Sequence, residues 1–377
     1  MDWRTKLLNP HQLARQDYKS LVTPIYRGST VVFDEQSLIK DDWEQAEKGY
    51  SYGLYGTPTT LELAARISQI EDAKHTFIVP GGQSAIALVY FSFCKSGTHA
   101  LVPHSAYGPN KSMAEGLLRG LGVEVEAYDP LIGKDISKLI RSNTSLIWCE
   151  SPGSVTMEIQ DIPAIVKAAH EKNIPVALDN TYAAGVLFDA FKYGVDVSIQ
   201  ALTKYIGGHS DLLLGSVSVR DEEAYNIVGP IYMQLGLAVS PDDCSLALRG
   251  LQTLALRLDQ LEKSTLKIAL WLSENNIIHE VYHPAFKSCP GHDIWKRDFR
   301  PVTDCWQPRH WTMTDRRCCK HRRVTTGILR RCPLRLIGRL KWSWRMAPHG
   351  RITSGPMPIG WPWPTKLSQR AFRWACR

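Results

Sequence analysis

Apolar side chains recur at helical spacing from Thr59 onward. The stretch TTLELAARISQIEDA places Leu61, Leu63, Ala64, Ile67 and Ile70 near helical spacing and predicts an amphipathic helix. The pattern then shortens. Residues 76–79 read as a strand, Pro80-Gly81-Gly82 as a tight turn, and SAIALVYFSF as a helix. The strand signature repeats at residues 98–103, 123–129, 145–150, 174–180, 195–200 and 215–219, with helical stretches around 112–118 and over 162–173. Short apolar strands bounded by turn residues and alternating with helices predict a mostly parallel α/β sheet. In such a sheet the functional site lies at the carboxyl ends of the strands. From about Ser240 the chain is dense in leucine at helical spacing, which predicts one or two long helices and a departure from the sheet. Residues 1 to about 50 show no sustained period and read as an extended arm, of the kind that packs on a partner subunit or a later domain.

Composition changes this picture at one place. The 377 residues are too many for one compact core and imply two or three domains. A 44% hydrophobic and 22% charged content is ordinary for a globular protein and excludes wholesale disorder or a fibre. The formal net charge of +8 is unevenly placed: residues 300–377 hold 18 Lys+Arg against 2 Asp+Glu, so residues 1–299 are acidic. The same final stretch carries 5 of the 9 Cys, 7 of the 12 Trp and 8 of the 22 Pro, and no period-2 or period-3.6 pattern persists in it. The first residues, MDWRTKLLNPHQLAR, lack the apolar core of a secretory signal, and no run of about 18 apolar residues occurs, so a membrane span is not expected. Cys94, Cys149, Cys244 and Cys289 lie far apart without CxxC spacing, which suits reduced thiols in the cytoplasm. Cys318 and Cys319 with His321 have no second ligand pair, and no metal site is expected.

The candidate chemistry sits beside strand ends. Lys204 follows VSIQALT. A lysine there can be desolvated, which lowers its pKa and makes its amine a nucleophile able to form a Schiff base; the alternative is a solvated surface lysine. Asp179 closes IPVALD, 25 residues earlier. It either caps the next turn or, paired with a reactive lysine, holds the pyridinium nitrogen of pyridoxal phosphate. Gly81-Gly82-Gln83-Ser84 opens a helix whose free N–H groups can hold a phosphate, although a tight turn explains the glycines equally well. Thr203 could add a hydroxyl to the same phosphate. Tyr107, in the turn SAYGP, could stack on a ring or merely pack at the surface.

Together these residues resemble the Cys/Met metabolism pyridoxal phosphate enzymes of the aspartate aminotransferase-like fold (fold type I). The likeness is carried by SYGLYGTPT (51–59), VPGGQSAIA (79–87), ESPGSVTMEIQDIPAI (150–165), ALDNTYAAGVLF (177–188), DVSIQALTKYIGGHSD (196–211) and LALRGLQTLALRL (246–258). It spans about residues 10–299. The resemblance implies an N-terminal arm (1–50), a large cofactor-binding domain (51–240) and the start of a smaller α+β domain (241–299), followed by the anomalous segment 300–377. It implies pyridoxal 5'-phosphate as cofactor, with Lys204 as the Schiff-base lysine and Asp179 as the pyridinium partner. Gly82 and Gln83 would hold the phosphate through backbone amides, and Thr203 through its hydroxyl. Tyr107 would stack on the ring and aid transfer between amines. Tyr52 would be lent by a neighbouring subunit of a homotetramer of active dimers, and Tyr232 would be a further substrate-side tyrosine. The family motif has arginine two residues after the first tyrosine, where this chain has Leu54. Its small domain supplies an arginine for the substrate carboxylate, which does not align from Arg300 onward.

The implied activity is β-elimination of a C–S bond in L-cystathionine or a related thio-amino acid, giving homocysteine, pyruvate and ammonia, a step of methionine biosynthesis. The ESPGSVTME stretch favours this β-lyase branch. Cystathionine or methionine γ-lyase, γ-synthase and cysteine desulfhydrase activities of the same family are the alternatives. A non-enzymatic alternative is an anionic-polymer binder working through the basic residues 316–331. That stretch has no motif of known docking geometry, so nucleic acid is not expected as a partner. A shifted reading frame explains the segment better: a GC-rich gene read out of frame yields Arg, Pro, Trp, Cys and Gly with few acids.

Overall fold

The computed structural model describes residues 22–38 and 50–300. The expectations for residues 1–21, 39–49 and 301–377, the basic segment included, lie outside the described residues. A seven-stranded sheet forms the centre, in the order β1-β7-β6-β5-β4-β2-β3. Its strands are β1 (His75–Val79), β2 (His99–Pro103), β3 (Glu124–Tyr128), β4 (Thr144–Glu150), β5 (Val176–Asp179), β6 (Val197–Gln200) and β7 (Gly215–Val219). Pairing is parallel from β3 through β2, β4 and β5 to β6. Only β7 reverses, lying antiparallel to both β6 and β1. Strands β2, β5, β6 and β7 are buried along their whole length, including the polar Ser198, Gln200, Ser216 and Ser218 of β6 and β7.

Helices cover both faces. Helix α1 (Pro58–Glu71) starts at the Thr57 cap with proline in its first turn and buries Leu63 and Ile67 fully, as its period predicts. It packs on β1 and β7. Helix α2 (Gly82–Phe93) packs on β6 and β7. Tyr90 of α2 stacks on Trp148 of β4 at 5.0 Å between ring centroids, both fully buried. The Tyr90 hydroxyl donates to Asn110 Oδ1 at 2.7 Å, which ties α2 to the short α3 (Gly108–Ser112). A π-helical stretch, Met113–Leu118, continues α3 where the sequence predicts plain helix. Helix α4 (Ile162–His170) follows β4, capped by Asp161.

Helix α5 (Glu222–Gln234), capped by Asp221 and containing Pro230, is not foreseen by the sequence pattern. The leucine-rich stretch forms two helices, α6 (Pro241–Leu251) and α7 (Leu254–Ser273), and a seven-residue α8 (His292–Asp298) follows. Among the described residues no helix is long and apolar enough to cross a membrane, and Cys94, Cys149, Cys244 and Cys289 are free and buried. The described part of the arm packs on its own chain. Thr59 Oγ1 donates to Pro24 O at 2.8 Å, and Arg27 pairs with Asp242 of α6.

Candidate active site

Because β7 alone runs backward, β1, β2, β4, β5 and β6 all end at one edge of the sheet. The segments leaving them carry Gly82, Tyr107, Glu150, Asp179 and Lys204. Lys204 lies in the turn after β6, where its N–H donates to Ala201 O at 3.0 Å and its carbonyl accepts from Gly208 N at 2.8 Å. Its Nζ stands 5.4 Å from the centroid of the Tyr107 ring and 6.0 Å from that of Tyr182. The side chain is exposed, the solvated alternative of the sequence reading: the turn carries it beyond the end of β6, near two aromatic rings.

Asp179 is the last residue of β5 and is buried. Its Oδ1 accepts from Thr181 N at 3.0 Å, and among the described residues no cation lies in ion-pair contact with it. Burial pushes its carboxyl up from the ordinary value; the bonds from Thr181 and the charge of Lys204 oppose this. Directly across the β4–β5 ladder stands Glu150, also buried, with its carboxyl pushed well up by burial and by Asp179. Glu150 Oε2 accepts from Tyr107 N at 2.7 Å.

The turn before α2 is shaped for an anion. The first intrahelical bond runs from Ala85 N to Gly81 O, which leaves the N–H groups of Gly82, Gln83 and Ser84 outside the ladder. A Cβ on Gly82 would stand 2.8 Å from Ala201 Cβ, so the Lys204 turn approaches this helix start as closely as glycine permits. Gln83 Nε2 donates to Pro109 O at 3.3 Å and links the same turn to the Tyr107 segment.

The structure places three further expected residues. The Thr203 hydroxyl donates to Leu214 O at 3.1 Å and accepts from Leu214 N at 3.0 Å, which closes this loop. Tyr232 is buried on α5, tilted against Phe77 at 5.3 Å, so its contacts are those of a core residue rather than a substrate-side one. Tyr52 is 46% exposed and packs edge-on against Tyr55. Leu54 is half-buried in the short 3-10 turn that follows Tyr52. Two site residues had no role in the sequence reading. Glu150 and Tyr182 stood inside quoted motifs, and their position at a strand end or just beyond an aspartate was the available signal.

A buried carboxylate lacking a cation, an amine between two aromatic rings and a glycine-walled helix start form a donor set that fits pyridoxal phosphate. They match its protonated ring nitrogen, aldehyde and phosphate respectively.

Comparison with known proteins agrees with this set. Residues 4–304 match the family described as Cys/Met metabolism PLP-dependent enzyme. A putative cystathionine beta-lyase of Saccharomyces cerevisiae is 43% identical over 277 residues, covering 74% of this chain and 80% of that protein. The cystathionine beta-lyase MetC of Escherichia coli is 38% identical over 299 residues, covering 78% and 75%. Among solved structures, cystathionine gamma synthase from Xanthomonas oryzae in complex with cystathionine superposes with a TM-score of 0.70 at 27% identity, covering 76% of this chain and 72% of that one. The chain belongs to the Cys/Met metabolism enzymes that depend on pyridoxal phosphate, with the aspartate aminotransferase-like fold.

Proposed function

We propose that the protein is a cystathionine β-lyase, acting in methionine biosynthesis as a cytoplasmic homotetramer. The observation that carries the reading is the placement of the Lys204 amine over Tyr107, at the sheet edge where the buried Asp179 carboxylate ends β5. The identities to proteins named cystathionine beta-lyase support the choice within the family. When bound, the cofactor supplies an electron sink for the pair left at the substrate Cα. Lys204 would hold the cofactor through its amine and, once free, would take the Cα proton on Nζ. Asp179 keeps a proton on the ring nitrogen. The Cβ–S bond then breaks, and the sulfur leaves with a proton as the thiol of homocysteine. The remaining three-carbon fragment takes up water and departs as pyruvate and ammonia. Gly82 and Gln83 hold the phosphate through their N–H groups. The Tyr107 ring, 5.4 Å from Lys204 Nζ, would cover the cofactor, and its phenol would aid the exchange of amines. Tyr52, exposed, serves the neighbouring subunit's site.

γ-Elimination shares the first proton transfer but needs a second proton loss at Cβ. Protein from the native source, given L-cystathionine, is expected to release pyruvate; 2-oxobutyrate would move the protein to the γ-lyase branch. Lys204→Ala is expected to abolish both the yellow absorbance of the bound cofactor and turnover.

A further inference from the structure

We infer that Glu150 is a positioning residue: its carboxylate clamps the Tyr107 segment to the loop after β4 and so fixes the ring that covers the cofactor. The inference rests on the cofactor reading above and assigns a role to a buried acid that the reaction scheme does not use. Glu150 is 3% exposed and lies at the carboxyl end of β4, in register with Asp179. Its Oε2 accepts from Tyr107 N at 2.7 Å.

The two segments are joined at further points. Ser154 N donates to Ser105 O at 2.8 Å. Gly153 lies so close to Ser105 that an added Cβ would stand 2.5 Å from Ser105 Cβ. The strand end is itself fixed: Glu150 N donates to Gln160 Oε1 at 2.7 Å, and Gln160 Nε2 donates to Tyr128 Oη at 3.0 Å. The Tyr107 backbone is therefore held by one acceptor on a rigid strand, while its ring, 39% exposed, has freedom to swing if that acceptor is lost. A glutamine at this position keeps a side-chain carbonyl oxygen of the same reach, which can still accept the Tyr107 N–H.

The test is cofactor affinity, read by titrating pyridoxal phosphate into the cofactor-free full chain and following absorbance. Glu150→Ala is expected to weaken affinity about tenfold, and Glu150→Gln to stay within about twofold of wild type. On a Tyr107→Ala background, where no ring remains to be placed, Glu150→Ala is expected to change affinity by less than about twofold. An unchanged affinity in Glu150→Ala overturns the inference, as does a Gln variant as weak as the Ala variant, or a loss undiminished on the Tyr107→Ala background. If Glu150→Ala does not fold, Gly153→Ala pushes the same two segments apart and is expected to show the same loss and the same dependence on Tyr107; a loss independent of Tyr107 overturns the inference there too. Failure of the cofactor reading looks different: the yellow absorbance would then survive Lys204→Ala.

Discussion

Asp179 shows how one side chain can weaken the fold it serves. The carboxyl is buried at the end of β5 with one N–H from Thr181 and no ion-pair cation among the described residues. In the unfolded chain it ionises near 3.8, while in the cofactor-free fold burial raises that value. Above 3.8 the folded form therefore binds more protons than the unfolded one, and the group costs stability as pH rises through the window up to its raised value. On the proposed reading the cofactor's ring nitrogen would supply the missing cation, so this cost would be offset only in the loaded protein. Asp179→Asn is thus expected to raise the melting temperature of the cofactor-free protein at pH 7 more than at pH 4. It should also weaken cofactor binding at least about tenfold. Thermal denaturation at both pH values, with a cofactor titration, measures the two effects. An Asn variant less stable than wild type at pH 7 would show that the ionised carboxylate is already satisfied without the cofactor.

Between elements, the Lys204 turn is held from outside the sheet. Arg257 of α7 donates to three carbonyls: Tyr205 O, Ile206 O at 3.3 Å and Gly250 O at 2.6 Å. Gly250 lets α6 come so close that a Cβ there would overlap Ile206 O. Gly208, at φ +72°, lies against the same guanidinium and leaves no room for a side chain. Arg257→Ala leaves three carbonyls without this donor and is expected to destabilise the cofactor-free protein by about 2 kcal/mol. Gly250→Ala should cost about 3 kcal/mol through overpacking. Urea midpoints measure both; a midpoint unmoved in Arg257→Ala would show that water replaces the guanidinium without loss.

This clamp was not legible in the sequence, where Arg257 is one basic residue in a leucine-rich helix. The strands and α1, α2, α4, α6 and α7 were legible because each carries an uninterrupted period. Helix α5 was not, since Gly229 and Pro230 break its apolar pattern while the Asp221 cap and the neighbouring sheet keep it helical. Lys204, Asp179, Gly82 and Tyr107 could be picked out because each follows a strand end. Glu150 could not be paired with Tyr107, because that contact depends on the parallel order of β2, β4 and β5 rather than on spacing along the chain.

At the scale of the whole molecule, the groups assigned to the cofactor all precede Arg300, while the arginine the family uses for the substrate carboxylate belongs beyond it. The family match ends at residue 304, close to where composition turns from acidic to strongly basic. Two properties of the protein should therefore separate. The chain as it stands is expected to take up pyridoxal phosphate and turn yellow, because Lys204, Asp179 and the start of α2 lie in the matched region. It is expected to turn over cystathionine poorly, because binding the carboxylate in the right orientation accounts for a large part of the rate in such reactions. A shifted frame near codon 300 would account for the change, and intact mass tests it directly. Protein from the native source is expected to depart from the 42.5 kDa of this chain, and the in-frame protein is expected to combine the yellow absorbance with rapid pyruvate release. A native mass of 42.5 kDa together with rapid pyruvate release would overturn the frame reading and place the carboxylate-binding cation among the 18 Lys and Arg of residues 300–377.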